Sequence, residues 1–441
     1  MIRATNMLYH SFTKLDTGLK VIRVPMSSNR SVTAMMLVNT GSRYERVEEQ
    51  GAAHFIEHLV YKGTQKYTDN LSLARKLDSV GAACNAFTSK EYTGYYVTTT
   101  DNHLKLALDV LNELLFSPLF RQEDLQREKN VIVEEIRMLD DTPSRHVSNL
   151  FERHFYQNQG LAHDISGPEK SVLQMDRQKL NDFLNDWYGL SNMTLVIAGN
   201  KQLVESMDTT SLVAEIFSKV PKERHNHRRK NIKSFLDEDA FSQQRVVLEK
   251  KDIAQTHFVL GWPALKRGHP SRYILSVLST VVGGNRSSRL FDEIREKRGL
   301  AYYIWADLDQ YHDVGLFGAQ GGLNVNKTVD GLREIIGQFK AIANGQKKIK
   351  LEEVEEAKEF LIGRMILGLE DSESVARYYG LKDILLDKIE DPDLIIEKIR
   401  SVNAKQVNDL AVKLIQPGEL RLALVGNFDN EDEIRSLVKQ Y

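Results

Sequence analysis

A length of 441 residues exceeds one typical domain of ~150, and a 41% hydrophobic fraction with 27 glycines excludes disorder as the main state. With 59 Lys+Arg against 61 Asp+Glu the net charge is −2, so no global field draws the chain to nucleic acid or to an anionic membrane surface. One cysteine, Cys84, excludes an intramolecular disulfide framework and a cysteine-built structural zinc site, and it fits a reducing compartment.

In chain order, Val32–Val38 and Tyr92–Thr98 read as strands, while 51–63, 103–115, 122–138 and 176–187 place apolar residues at helical spacing. An apolar strand ending in Gly-Asn occurs at Met193–Asn200 and again at Leu420–Asn427, an offset of 427 − 200 = 227. The helical segments Glu123–Glu135 and Glu352–Arg364 are offset by 352 − 123 = 229. Two anchors agreeing this closely imply two homologous halves. Between them, Lys219–Lys230 is polar, basic and without apolar periodicity. The expected division is a domain at 1–217, a linker at 218–242 and a domain at 243–441. The second half places strands near 245–261, 301–309 and 314–321 and helices near 269–281, 327–343 and 350–367. Because helices group between strand groups instead of alternating with them, the expected class is α+β: two tandem domains, each a mostly antiparallel sheet packed with helices.

The chemistry concentrates in Gly51-Ala-Ala-His54-Phe-Ile-Glu57-His58. On a helix of 3.6 residues per turn, His54 and His58 project from one face with Glu57 beside them. Two neutral imidazoles at i and i+4 can share one zinc ion, and a carboxylate beside them can take a proton from water. The plain alternative is a helix with polar residues facing solvent. A catalytic zinc site needs a third ligand and leaves a fourth position open. The helix 122–138 carries Glu128 and Glu135 seven apart on one face, with Glu134 rotated away by about 100°. Glu135 is therefore read as the third ligand, and Glu128 as a carboxylate that orients the site. Two imidazoles and a carboxylate favour zinc, one ion per chain, and tolerate cobalt or manganese. Under the 229 offset Glu135 falls on Arg364 and Glu128 on Ala357, so no metal site is expected in the second half.

The motif His54-Phe-Ile-Glu-His58, followed 77 residues later by Glu135 with Glu128 seven before it, resembles the pitrilysin family of zinc metallopeptidases. The resemblance covers almost the whole chain, because the family unit is a pair of homologous α+β domains. At this length it is similar to the short-subunit branch of mitochondrial processing peptidase and bacterial processing proteases, in which each chain is half of a clamshell. It implies His54, His58 and Glu135 as ligands and Glu57 as catalytic base. Asn85, Ala86 and Phe87 resemble the strand that holds the substrate backbone; an ordinary half-buried strand is the alternative. Arg295 and Tyr302, seven apart, resemble the pair that contacts substrate and oxyanion, with Arg298 and Tyr303 the neighbours most easily mistaken for them.

The implied activity is zinc-dependent endopeptidase cleavage of extended peptides or unfolded, presequence-like segments in an enclosed chamber. Since metal ligands and the Arg-Tyr pair occur in one chain, a homodimer is expected, the C-terminal domain of one subunit completing the site of the other. The alternatives are a non-proteolytic structural subunit of the same fold and the catalytic half of an obligate heterodimer. Cys84, in an apolar strand without an evident base, reads as a buried structural thiol. Gly283-Gly284 lacks the Lys-Ser/Thr of a phosphate loop, and no nucleic-acid motif stands out. No apolar run approaches the ~18 residues of a membrane span, and residues 1–21 lack the apolar core of a signal peptide, so the expected location is cytoplasmic.

Overall fold

A computed structural model of the chain describes residues 9–157, 160–218, 220, 241 and 243–441. Most of the linker expected at 218–242 lies outside the described residues. Two compact units interleave the sequence. Unit 1 takes in Met1–Ile136, His163–Lys233 and Met365–Asp393; unit 2 takes in Arg137–Ala162, Ser234–Arg364 and Leu394–Tyr441.

Unit 1 is organised by a six-stranded sheet of β1 (Ser11–Lys14), β2 (Lys20–Met26), β3 (Ser31–Val38), β4 (Ala83–Thr88), β5 (Thr93–Thr100) and β6 (Met193–Asn200). Their order is β1-β2-β6-β3-β5-β4, antiparallel except between β2 and β6. In β3, side chains alternate between two cores: Val32, Ala34, Met36 and Val38 enter one, Met35 and Leu37 the other. Burial on both faces explains why β3 reads as a continuous apolar run. The first face packs the helices Ala52–Leu59 and Leu104–Phe116 through Phe55, Ile56, Leu108 and Leu111. The second packs the helix Ser372–Leu386, whose Val375, Ala376 and Tyr379 meet Ile22, Met35, Leu37 and Val196. Close approach there depends on Gly380, where a Cβ would stand 2.3 Å from Leu37 Cδ1 and 2.9 Å from Val196 Cγ2.

Unit 2 holds β7 (Val246–Lys250), β8 (Gln255–Ala264), β9 (Ala301–Gln310), β10 (Gly315–Asn324) and β11 (Arg421–Gly426) in the order β7-β11-β8-β10-β9. Only the β7–β11 pair is parallel. Without β1 this is the order of unit 1, strand for strand, so the repeat marked by the two Gly-Asn strands, β6 and β11, is a repeat of topology. The single strand expected near 245–261 is two: a turn after Lys250 lets β7 run parallel to β11 and β8 antiparallel to it. One face of the sheet is covered by the helix Pro143–Phe155, with Val147 and Phe151 against Val259, Leu316, Ala423 and Val425. The two covering helices begin 372 − 143 = 229 residues apart, the repeat offset. Each comes from one half of the sequence and packs on the sheet built by the other half. The α+β class therefore holds in both units. Among the described residues, no helix is long and apolar enough to cross a membrane.

Candidate metal centre

The helix Ala52–Leu59 starts from Gly51, whose φ of 92° is the left-handed conformation open to glycine; a Cβ there would also meet Ser166 O at 2.6 Å. Its first turn is capped from a distance. Glu45 accepts hydrogen bonds from the N–H groups of Gly51 (2.7 Å) and Ala53 (2.8 Å). Burial pushes the Glu45 carboxyl up to about 8. With Ala52, Phe55, Ile56 and Leu59 buried in the core, His54, Glu57 and His58 are left on a common side. The α-helix stops at Leu59, short of the expected 63, and continues as a 3-10 turn through Lys62 to Gly63 at φ 155°.

The helix Gln122–Asp140 brings up the carboxylates. Glu135 Oε1 lies 3.6 Å from His54 Nε2, and its Oε2 lies 3.5 Å from His58 Nε2. Ligand atoms of His54, His58 and Glu135 all fall within 4.8 Å of one another; among the described residues no other group of three such side chains is so close. A tetrahedral ion with bonds of 2.0–2.1 Å separates its ligand atoms by about 3.4 Å, close to the 3.6 and 3.5 Å between Glu135 and the two imidazoles, so this donor set suits zinc. His54 Nδ1 is buried without a hydrogen-bond partner among the described residues. On the other ring, His58 Nδ1 lies 3.2 Å from Glu128 Oε2, and Lys62 holds the opposite carboxylate oxygen at 2.8 Å. Glu134 is not in the cluster, as the helical rotation predicts.

The charges follow from these contacts. Burial, helped by His58, lowers the His54 pKa to about 4, so its imidazole is neutral at pH 7 and can donate a lone pair. Burial also acts to lower His58, but the Glu128 and Glu135 carboxylates outweigh it and raise its pKa to about 9. Glu135 is held below the usual carboxylate range by His58. Glu128 is lowered too: burial opposes ionisation, and His58 and Lys62 together prevail.

Glu57 accepts a 2.5 Å hydrogen bond from Thr88 Oγ1. Burial raises its pKa and Thr88 acts against that. Thr88 ends β4, which among the described residues bonds only to β5 and lies at the sheet edge. On this strand Asn85 is exposed, with its Oδ1 accepting from the Ala86 N–H (2.9 Å), while Phe87 lies under the Arg377 guanidinium at 3.8 Å. The Cys84 thiol is pushed up to about 12 by burial, which disarms it as a nucleophile. Thr88, Lys62 and Glu45 are absent from the sequence reading. Lys62 had a signal, four residues beyond His58, and Thr88 shares the inward side of β4 with Ala86. Glu45, six residues before Gly51, matches no local capping signature.

Comparison with known proteins decides the family. The family model described as Insulinase (Peptidase family M16) matches residues 20–169, and that described as Peptidase M16 inactive domain matches residues 174–361. An uncharacterized zinc protease of Bacillus subtilis, YmxG, is 34% identical over 416 residues, 94% of this chain and 98% of its own. The chain belongs to peptidase family M16. Another uncharacterized zinc protease, from Mycobacterium leprae, is 33% identical over 91% of this chain and 88% of its own. A crystal structure of a protease from Helicobacter pylori has the same fold, with a TM-score of 0.85 at 21% identity, covering 95% of this chain and 99% of that one. Membership in M16 bears out the resemblance to the pitrilysin zinc proteases. The inactive-domain match includes Ala357, which stands at the repeat position of Glu128, and stops three residues before Arg364, which stands at that of Glu135.

Unit 2 of this M16 chain carries Arg295 and Tyr302 in different settings. Arg295 lies on the helical turn Phe291–Glu296, its guanidinium 4.7 Å over the Phe291 ring and its Nε 3.8 Å from Glu296. Tyr302 is the extra residue of a bulge on the edge strand β9, because Ala301 pairs with Leu323 and Tyr303 with Gly322. A bulge turns its residue out of the ladder, and Tyr302 is 56% exposed. The neighbours are engaged elsewhere: Tyr303 meets His257 Nδ1 at 2.6 Å and stacks on Trp305, and Arg298 pairs with Glu334 at 3.3 Å.

Proposed function

We propose that the chain is a zinc-dependent endopeptidase that hydrolyses extended or unfolded, presequence-like peptide segments in an enclosed chamber. The observation that carries the reading is the convergence of His54, His58 and Glu135 with an unligated carboxylate, Glu57, on the same helix. One zinc ion per chain, held by those three residues, would polarise the scissile carbonyl and lower the pKa of water at the site. Glu57 takes the proton from the attacking water and delivers it to the leaving amine. Glu128 orients His58 by holding its Nδ1 side.

The free edge of β4 offers peptide N–H and C=O groups to an extended substrate along Asn85, Ala86 and Phe87, so backbone recognition is broad. Tyr302 donates to the developing oxyanion and Arg295 to a peptide carbonyl. Because ligands and Arg-Tyr pair occur in one chain, a homodimer supplies both, the C-terminal domain of one copy serving the metal centre of the other. A single cysteine in 441 residues supports a reducing compartment, and we assign the cytoplasm. The decisive variant is Glu57→Gln. It should lose about 10²- to 10⁴-fold in kcat while binding zinc as the wild type does. Retained hydrolysis, or loss of zinc together with activity, would remove Glu57 from the base role.

A further inference from the structure

We propose that Thr88 is the positioning residue of Glu57: its hydroxyl fixes one carboxylate oxygen and leaves the other as the proton acceptor. The inference rests on the peptidase reading above and adds a residue to it. Thr88 Oγ1 donates to Glu57 Oε2 at 2.5 Å, and among the described residues no other hydrogen bond reaches this carboxylate. Both ends of the contact are anchored on rigid elements. Thr88 pairs with Thr93 in the β4–β5 ladder, and the Ser89 N–H closes the following turn onto Tyr92 O at 2.8 Å. As a β-branched residue in a strand, threonine has few χ1 states, so the ladder sets the direction of its hydroxyl. Glu57 rises from a helix whose buried face, through Phe55 and Ile56, is locked in the core.

The chemistry needs this restraint. A glutamate has three side-chain torsions, and as a free rotor it would offer either oxygen in several directions. A proton acceptor works when it is held within a few tenths of an ångström of the productive geometry. With Oε2 occupied by a donor, Oε1 alone is available to the attacking water. Thr88 also ends the strand whose Asn85, Ala86 and Phe87 are assigned to the substrate, so one edge strand aligns both the peptide and the base that acts on it.

The test compares wild type, Thr88→Val, Thr88→Ser and Glu57→Gln for zinc content, kcat and KM on a quenched fluorogenic peptide. A second readout needs no turnover: the infrared carboxylate band of Glu57, isolated by subtracting the spectrum of the matching Glu57→Gln protein in each Thr88 background. Thr88→Val should keep zinc and KM and lose about 10- to 100-fold in kcat, with the Glu57 band displaced. Thr88→Ser, which restores the hydroxyl, should recover both. Wild-type kcat in Thr88→Val, a loss that serine does not rescue, or an unmoved band would overturn the proposal. If the wild type cleaves nothing, the peptidase reading fails by itself, while the infrared comparison still decides whether Thr88 holds Glu57.

Discussion

His58 shows how one side chain serves two purposes. Its Nε2 faces Glu135 while its Nδ1 faces Glu128, and Lys62 grips the far oxygen of Glu128 at 2.8 Å. A ring held this way cannot rotate without breaking a charge-assisted contact, so the nitrogen aimed at the ion is chosen in advance. The same carboxylates raise the His58 pKa to about 9, whereas burial lowers His54 to about 4. Zinc bound there would displace a proton from His58 but none from His54, so its affinity should fall as pH drops below about 9. Glu128→Gln should weaken zinc about 10- to 100-fold in a competition titration against a chromophoric chelator; unchanged affinity would deny Glu128 this orienting role. His54, Glu57 and His58 were legible because helical spacing places them together on one helix, and Glu128 and Glu135 because it places them on one face of a second. Thr88 was not, since its partner Glu57 lies on another element and no local spacing links them.

At the scale of elements, the helix Ala52–Leu59 has eight residues, too few to be stable by itself, and its first turn is held by Glu45. Because burial raises the folded pKa of Glu45 above its ordinary value of 4.5 to about 8, the folded state binds the extra proton between those limits. The contribution of Glu45 to stability is therefore full below about pH 4.5 and is lost as pH rises through about 8. In chelator, to exclude metal linkage, the difference in Tm between wild type and Glu45→Gln should shrink from pH 5 to pH 8. A difference that is constant or grows with pH would contradict the burial argument. The β9 bulge at Tyr302 is the matching case in unit 2. The family resemblance singled out the tyrosine, but a bulge depends on the register of β10 opposite and leaves no mark in β9 itself.

Across the whole molecule, the halves of the sequence are repeats of topology, while the compact units interleave them. The helix Ser372–Leu386 covers Ile22, Met35, Leu37 and Val196, and the helix Pro143–Phe155 covers Val259, Leu316, Ala423 and Val425. A fragment of residues 1–217 expressed alone would expose the face that Tyr379 and Val375 bury, so it should be poorly folded by circular dichroism and regain structure when co-expressed with 243–441. An independently folded 1–217 would show the covering helix to be dispensable. The tandem repeat was visible in sequence as two Gly-Asn strands. The exchange of helices was not, because apolar periodicity marks a face for burial without naming the sheet that buries it. The central claim concerns the activity of the whole chain. Its most direct test is cleavage of a quenched fluorogenic peptide of about ten residues by the purified protein, with chelator and then with zinc restored. The account predicts cleavage that chelator abolishes and zinc returns; a chain that binds no zinc, or cleavage indifferent to chelator, would contradict it.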